Sequence, residues 1–154
     1  MSIVHTRVSY KDFTRQATDV YGGLSSIGQV VRASSLPPEL VELVDLRVSQ
    51  INGCAFCIQH HLSEARRLGV PAGKLDLVAA WRDAEIFSDQ EVAALAWCEA
   101  LTNLSPGGPS DAEWQAVNKH FSESEAIFLT AAIGTINNWN RIAIALRFSP
   151  RIVA

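Results

Sequence analysis

Two cysteines and a histidine form the part of this chain best suited to chemistry. Cys54-Ala55-Phe56-Cys57 places two thiols three residues apart, and His61 follows the second thiol by four residues. In a helix, residues at these intervals share one face, so all three side chains point the same way. This arrangement suits reversible dithiol–disulfide chemistry, in which one thiolate attacks, the other thiol resolves the product and the imidazole moves the proton.

Two carboxylates are in register with the histidine. Asn52-Gly53 is a turn signal, and the helices on either side of it should form an antiparallel αα-hairpin. With a rise of ~1.5 Å per residue, Glu42 lies roughly 15 Å before the turn, Asp45 roughly 10 Å before it and His61 roughly 12 Å after it. Either carboxylate is therefore placed to sit beside the imidazole, and spacing alone does not choose between them.

The position of each thiol on its helix favours one order of events. A free thiol has a pKa of ~8.5, and a helix N-terminus or an adjacent imidazolium favours the thiolate. Cys57 has His61 one turn away and is the better attacker on these grounds. Cys54 lies nearer the turn and is free to close the disulfide. The reverse assignment stays open at this point.

The same motif has two simpler interpretations. It supplies three zinc ligands, but a structural zinc site needs four, so His60, His120 or Cys98 would have to complete it from elsewhere. The pair of motif thiols is also compatible with two inert core side chains, because free cysteine is often a small buried hydrophobe. Cys98 itself lies in a helical core pattern, which predicts a structural role.

The elements that must position these residues are helices throughout. Apolar residues recur at intervals of three and four, and no segment alternates strictly in twos. We therefore predict an all-α fold, with a first helix weakened or bent at Gly22-Gly23. Asn137 to Arg141 is unusually polar for an apolar helix, and we predict a buried, hydrogen-bonded joint between helices there. The predicted helices are 12–33, 37–51, 54–68, 74–81, 89–104, 111–120 and 123–147, the last three beginning at Ser-x-x-Glu capping boxes.

Size and composition set the class of protein. A chain of 154 residues is enough for one domain, which needs no structural disulfide or metal. Hydrophobic residues make up 48% and charged residues 19%, so we expect some apolar surface to be buried between subunits. A net charge of −3 gives no electrostatic case for nucleic acid. The longest apolar stretch is too short to span a bilayer, no signal peptide is evident, and the cysteine usage predicts a cytoplasmic protein.

With those residues in view, the chain resembles the carboxymuconolactone decarboxylase superfamily, in particular its AhpD-like alkylhydroperoxidase branch. The shared signature is a glutamate, eleven residues, Cys-x-x-Cys, three residues and a histidine. Glu42, Cys54, Cys57 and His61 match it. The resemblance extends over about 36–147 and implies a single AhpD-like domain across 1–154.

The resemblance implies an all-α homo-oligomer, a trimer or hexamer, that reduces hydroperoxides with thiols. In such enzymes the second cysteine attacks, the first resolves, and the histidine and glutamate relay protons; here these are Cys57, Cys54, His61 and Glu42. It thus selects Glu42 where spacing left the choice open. No metal or cofactor is implied, and the electron donor is a lipoyl-bearing or other thiol reductant protein. Phe56 stands where the best-known AhpD proteins carry a second histidine.

Two other functions fit the sequence. One is a non-enzymatic redox sensor or oligomeric binding protein, in which the state of the cysteine pair sets assembly. The other is a lactone decarboxylase-type enzyme, which would not use the thiols. Decarboxylase members of the superfamily generally lack the cysteine pair, which disfavours decarboxylation.

Overall fold

A computed structural model describes residues 5–151 of the chain. Within this range the chain forms eight α-helices and one 3-10 helix, without a strand, which confirms the all-α fold class. No helix in the described range is both long enough and apolar enough to cross a membrane. The elements are α1 (Tyr10–Gln16), α2 (Thr18–Arg32), α3 (Pro38–Asn52), α4 (Ala55–Arg67), α5 (Ala72–Leu77), the 3-10 helix (Val78–Asp83), α6 (Asp89–Thr102), α7 (Asp111–Asn118) and α8 (Glu123–Leu146).

The N-terminal helical region is divided at a place that the sequence did not predict. The break is at Ala17, whose φ of −119° and ψ of 49° end α1 and precede α2. The next hydroxyl, of Thr18, donates to backbone carbonyls one turn earlier, a local hydrogen bond that competes with regular helix. Gly22 and Gly23 lie inside the uninterrupted α2. The prediction of a single first helix bent at these glycines is therefore wrong.

The turn between α3 and α4 has the predicted position and a clear local cause. Pro38 occupies the first turn of α3, where its missing N–H is not needed. Gly53 ends α3 with φ 70° and ψ 31°, a left-handed conformation that favours glycine. Cys54 then caps α4, its sulfur accepting the backbone N–H of Cys57 at 3.3 Å. The chain reverses here, so α3 and α4 form the predicted αα-hairpin.

α3 is the central helix of the fold. It packs against α4, α6 and α8. Leu43, Val44, Leu46 and Val48 on α3 are fully buried, so the helix is held on several sides by apolar contacts. Polar side chains on this helix are consequently fixed in position by the packing around it.

A polar joint ties the hairpin turn to α8. The Asn52 side-chain amide donates to the side-chain oxygens of both Asn137 and Asn140 at 2.9 Å. The amide of Asn140, itself fully buried, donates to the Ser49 hydroxyl at 3.1 Å, and that of Asn137 donates to Thr102 on α6 at 3.1 Å. This confirms the predicted buried joint, which locks the α3–α4 turn against the C-terminal helix.

The three predicted capping boxes are present. In each, the serine side chain accepts the backbone N–H three residues on, and the glutamate returns a bond to the serine N–H. They begin α6 at Ser88/Glu91, α7 at Ser110/Glu113 and α8 at Ser122/Glu125.

Candidate functional site

The two cysteines of the motif are joined by a disulfide at the N-terminus of α4. Both are buried, with 1% of Cys54 and 4% of Cys57 exposed. They pack in an apolar cluster with Phe13 of α1 and Phe148, which follows α8. The first turn of α4 therefore allows the two sulfurs to bond, as the dithiol–disulfide interpretation requires.

The hairpin brings both candidate carboxylates to the histidine. Nδ1 of His61 on α4 lies 2.7 Å from Oε2 of Glu42 and 3.9 Å from Oδ2 of Asp45 on α3. Glu42 thus makes the hydrogen bond, and Asp45 lies at ion-pair distance behind it. The second oxygen of Asp45, Oδ1, is buried and has no hydrogen-bond partner within the described residues. A hydrogen bond at Nδ1 orients the ring and leaves Nε2 for other chemistry.

Burial and charge act in opposite directions on these groups. Burial disfavours the imidazolium of His61, but the hydrogen bond to Glu42 and the charges of Asp45 and Glu42 outweigh it and raise its pKa. Burial raises the pKa of Asp45 to about 7, with the charge of Glu42 adding to the effect and those of His61 and Arg32 opposing it. The cluster can therefore hold and exchange protons near neutral pH.

A cavity of about 560 Å³ opens beside this cluster. Cys57, His61, Glu42 and Asp45 all line it, whereas Cys54 does not. A ligand in the cavity would thus meet the second cysteine of the motif and the imidazole together. The volume is within the range of small-molecule sites and far above the ~30 Å³ that one water occupies in the liquid.

Sequence reasoning missed the aromatic wall of this cavity. Tyr10, Tyr21, Phe56 and Trp139 line it. Ring centroids are 5.2 Å apart for Tyr10 and Phe56, and 6.1 Å apart for Tyr21 and Trp139. Only Phe56 is near the motif in sequence, and the others come from α1, α2 and α8. The position of Phe56 between the cysteines was the one local signal.

The remaining histidine and cysteine candidates lie outside the cysteine–imidazole cluster. Cys98 is fully buried in α6, its thiol donates to the Leu95 carbonyl, and burial raises its pKa, all of which fit a structural residue. His60 is exposed, with its ring edge-on to that of His61 and the two ring centroids 5.0 Å apart. Within residues 5–151 no group of three or more histidine, cysteine or acidic side chains is arranged to hold a metal. The zinc interpretation therefore gains no support from the structure.

Comparison with known proteins agrees with this fold and motif. The model of the carboxymuconolactone decarboxylase family matches residues 18–100. YdfG, an uncharacterised protein of Bacillus subtilis (strain 168), is 34% identical over 140 residues, which cover 91% of this chain and 93% of YdfG. The chain therefore belongs to the carboxymuconolactone decarboxylase family, in its AhpD-like branch.

Solved structures share the same helical architecture. A protein of unknown function from Agrobacterium tumefaciens, suggested to be the antioxidant defence protein AhpD, superposes with a TM-score of 0.89 and 33% identity. That match covers 97% of this chain and 100% of the other. The debrominase Bmp8 superposes with a TM-score of 0.80 at 22% identity, covering 90% of this chain and 74% of its own, which shows a common fold.

Proposed function

We propose that this protein reduces organic hydroperoxides to alcohols through a dithiol–disulfide cycle of Cys57 and Cys54, with His61 and Glu42 relaying protons. The observation that carries the proposal is the composition of the cavity wall. Of the two bonded cysteines, only Cys57 lines the cavity, and it does so together with the His61–Glu42 pair. Membership of the AhpD-like branch supports the same chemistry.

In the first half-reaction the Cys57 thiolate attacks the terminal oxygen of the hydroperoxide. A sulfur–oxygen bond forms and the oxygen–oxygen bond breaks, so the sulfur is oxidised and the peroxide is reduced. The alkoxide leaves with the electron pair and takes a proton from the imidazolium of His61, giving the alcohol and the Cys57 sulfenic acid. Glu42 holds the ring through Nδ1 and offsets its positive charge.

In the second half-reaction Cys54 closes the disulfide. The neutral imidazole of His61 receives the Cys54 thiol proton, sulfur attacks sulfur, and the hydroxide that leaves Cys57 takes that proton to give water. The product is the bonded state seen in the structure. A dithiol reductant, lipoyl-bearing or of another kind, then supplies two electrons and two protons to restore both thiols.

The test is a stopped-flow reaction of the reduced protein with hydroperoxides. Cys57→Ser should lose the reaction, because it lacks the attacking sulfur. Cys54→Ser should react once and stop at a sulfenic acid, which dimedone traps as a mass increase. Cys98→Ala is the matched control, because that thiol is buried away from the cavity and the variant should keep the wild-type rate.

Each unfavourable result has a distinct meaning. Turnover at the wild-type rate by Cys57→Ser would end the proposal. If Cys54→Ser failed to react with hydroperoxide while Cys57→Ser still formed a sulfenic acid, Cys54 would be the attacking cysteine and Cys57 the resolving one.

The cavity size justifies testing a second kind of reducible substrate in the same assay. A debrominase shares this fold, and one of its structures contains a tribromopyrrole. An aromatic wall suits a flat ring of that kind. Oxidation of the dithiol by bromopyrroles but not by any hydroperoxide would favour reductive debromination over peroxidase activity. A protein whose pair reacts slowly with both, yet changes subunit association on oxidation, would be a redox sensor.

A further inference from the structure

The mouth of the site cavity carries positive charge, although the whole chain is acidic. Six lining residues are exposed and define the side open to solvent. Three of them are arginines and none is acidic. The six are Gln29, Arg32, Pro38, His60, Arg67 and Arg151.

Two of these arginines have no carboxylate within ion-pair distance in the part of the chain that the structure describes, 5–151. Arg67 is paired with Glu64 at 2.7 Å, so its charge is already balanced. Among the described residues, neither Arg32 nor Arg151 makes an ion pair. His60 adds little charge, because desolvation and the neighbouring His61 lower its pKa. The positive charge of the mouth is therefore that of Arg32 and Arg151.

The two guanidinium groups lie over different parts of the cavity lining. The Arg32 guanidinium lies against Gly28, one turn earlier on α2, where a Cβ would meet it at 3.5 Å. The Arg151 guanidinium lies over the ring of Tyr10, 5.1 Å from its centroid, a cation–π geometry. Both arginines line the cavity, and the Arg151 guanidinium lies directly on its aromatic wall.

The acidic side chains deeper in the cavity do not cancel this charge. The carboxylate of Glu42 is bonded to His61, and that of Glu64 to Arg67. Burial raises the pKa of Asp45 to about 7, so this carboxyl is largely uncharged below neutral pH. Below neutral pH an anion entering the mouth therefore meets two arginines before it meets any unbalanced negative charge.

We propose that the preferred substrate of this site is an organic hydroperoxide with an apolar or aromatic body and a carboxylate, held by Arg32 and Arg151. This inference rests on the proposed function and specifies its substrate class. The aromatic wall receives the body of the molecule, and the carboxylate remains at the mouth. The hydroperoxide end then reaches Cys57 and His61. Hydrogen peroxide, being far smaller than the cavity and uncharged, uses none of these contacts.

Binding tests the charge preference without requiring turnover. Para-isopropylbenzoate and its methyl ester differ in charge but share one aromatic body. Each compound is titrated into the oxidised protein, and its binding is followed by tryptophan fluorescence. The affinity for the carboxylate should exceed that for the methyl ester by about fivefold or more, as expected for two exposed charge pairs. Salt should weaken this preference. In the Arg32→Gln/Arg151→Gln double variant, the affinities for the acid and the ester should differ by no more than about twofold.

A neighbouring arginine provides the control. Arg66 is exposed on α4 but does not line the cavity, so Arg66→Gln should keep the full preference. Equal affinity of acid and ester in the wild type, or a preference unchanged in the double variant, would overturn the inference. Binding of neither small molecule would overturn it as well, and would leave an acidic partner protein as the ligand of the arginines.

Kinetics separate this inference from the proposed function. Cumene hydroperoxide and its para-carboxylated derivative should both oxidise the reduced wild-type protein, the charged one with the higher kcat/KM. Equal kcat/KM values would overturn the substrate class and leave the peroxidase proposal intact. Preferential binding of the carboxylate without any oxidation of the dithiol would support anion recognition and end the peroxidase proposal.

Discussion

Two carboxylates compete for one nitrogen of His61, and the hydrogen bond goes to Glu42. From the chain reversal at Gly53 the sequence could place one or both acids beside the ring, because helix rise fixes height along the hairpin. It could not rank them, since residues three apart share a face and the choice depends on side-chain rotamers within a packed interface. The AhpD-like resemblance selected Glu42 as the proton-relay residue, and Glu42 is the carboxylate that lies 2.7 Å from Nδ1 of His61.

Replacing Glu42 should change the protonation of the histidine. Glu42→Gln removes a charge and converts a charge-assisted hydrogen bond into a neutral one, so the pKa of His61 should fall. The measurement is an NMR pH titration of the His61 ring proton on Cε1. Glu39→Gln, an exposed change on the same helix, is the control and should leave the pKa of His61 unchanged. An unchanged pKa of His61 in the Glu42→Gln variant would show that the protonation of His61 does not depend on Glu42.

Asp45 predicts a pH dependence of stability with a defined sign. Its pKa rises from 3.8 to about 7 on folding, so between these values the folded protein keeps a proton that the unfolded chain releases. Folding stability contributed by this carboxyl therefore decreases as the pH rises from about 4 to 7. Glu42, His61 and Arg32 face the same group and modulate the size of the effect.

Asp45→Asn removes this titration, so the variant should gain stability relative to wild type as the pH rises from 4 to 8. At 1.36 kcal/mol per pKa unit the gain is up to roughly 4 kcal/mol. Urea unfolding at several pH values measures it, with the exposed Asp76→Asn as control. A difference between variant and wild type that is the same at pH 4 and pH 8 would contradict the assignment.

At the scale of the helices, the hairpin depends on the joint around Asn140. This side chain is fully buried, accepts the amide of Asn52 and donates to Ser49. Asn140→Ala should leave those groups unsatisfied and lower the free energy of unfolding by about 2–3 kcal/mol. Asn138→Ala, exposed on the same helix, should change it by less than about 0.5 kcal/mol. Urea denaturation compares the two, and equal small losses would show that the joint contributes little to stability.

The helices that begin at strong local signals could be predicted from the sequence. The Ser-x-x-Glu boxes fixed the starts of α6, α7 and α8, and Gly53 fixed the end of α3. The break at Ala17 could not be predicted, because alanine favours helix and no glycine or proline marks the site. The bend predicted at Gly22 and Gly23 is absent because tertiary contacts of α2 with α8 outweigh the low helix propensity of these glycines.

At the scale of the whole molecule, the cavity is formed by helices far apart in sequence, and Phe56 is its one local sequence signal. Its aromatic wall and its arginines come from α1, α2, α4, α8 and the segment after α8, which meet only when the chain has folded. The reactive motif, by contrast, lies within twenty residues of sequence, from Glu42 to His61. For this reason the proximity of the two thiols, the imidazole and the two carboxylates could be predicted from the sequence, whereas the shape of the ligand site could not.

We also propose that the chain forms one domain and assembles as a homo-trimer or homo-hexamer. Val20, Ile27 and Val30 on α2 are 52%, 42% and 54% exposed, an apolar stripe that a second subunit would cover. Light scattering should give a mass of three or six times 16.8 kDa. Ile27→Glu should shift the protein toward smaller species, whereas Gln115→Glu, an equal charge change on exposed α7, should not. A monomeric wild type would contradict the proposal.

The alkylation rate of the Cys98 thiol measures how often the helices around it separate. With Cys54 and Cys57 bonded, Cys98 is the one remaining thiol, and it is inaccessible in the interior. An alkylating reagent can reach it only when the surrounding helices separate. When closing is faster than labelling, the rate of mass gain therefore measures the population of the opened form. The equilibrium between the closed and the opened form of the oxidised protein can thus be followed without denaturant and without an introduced probe.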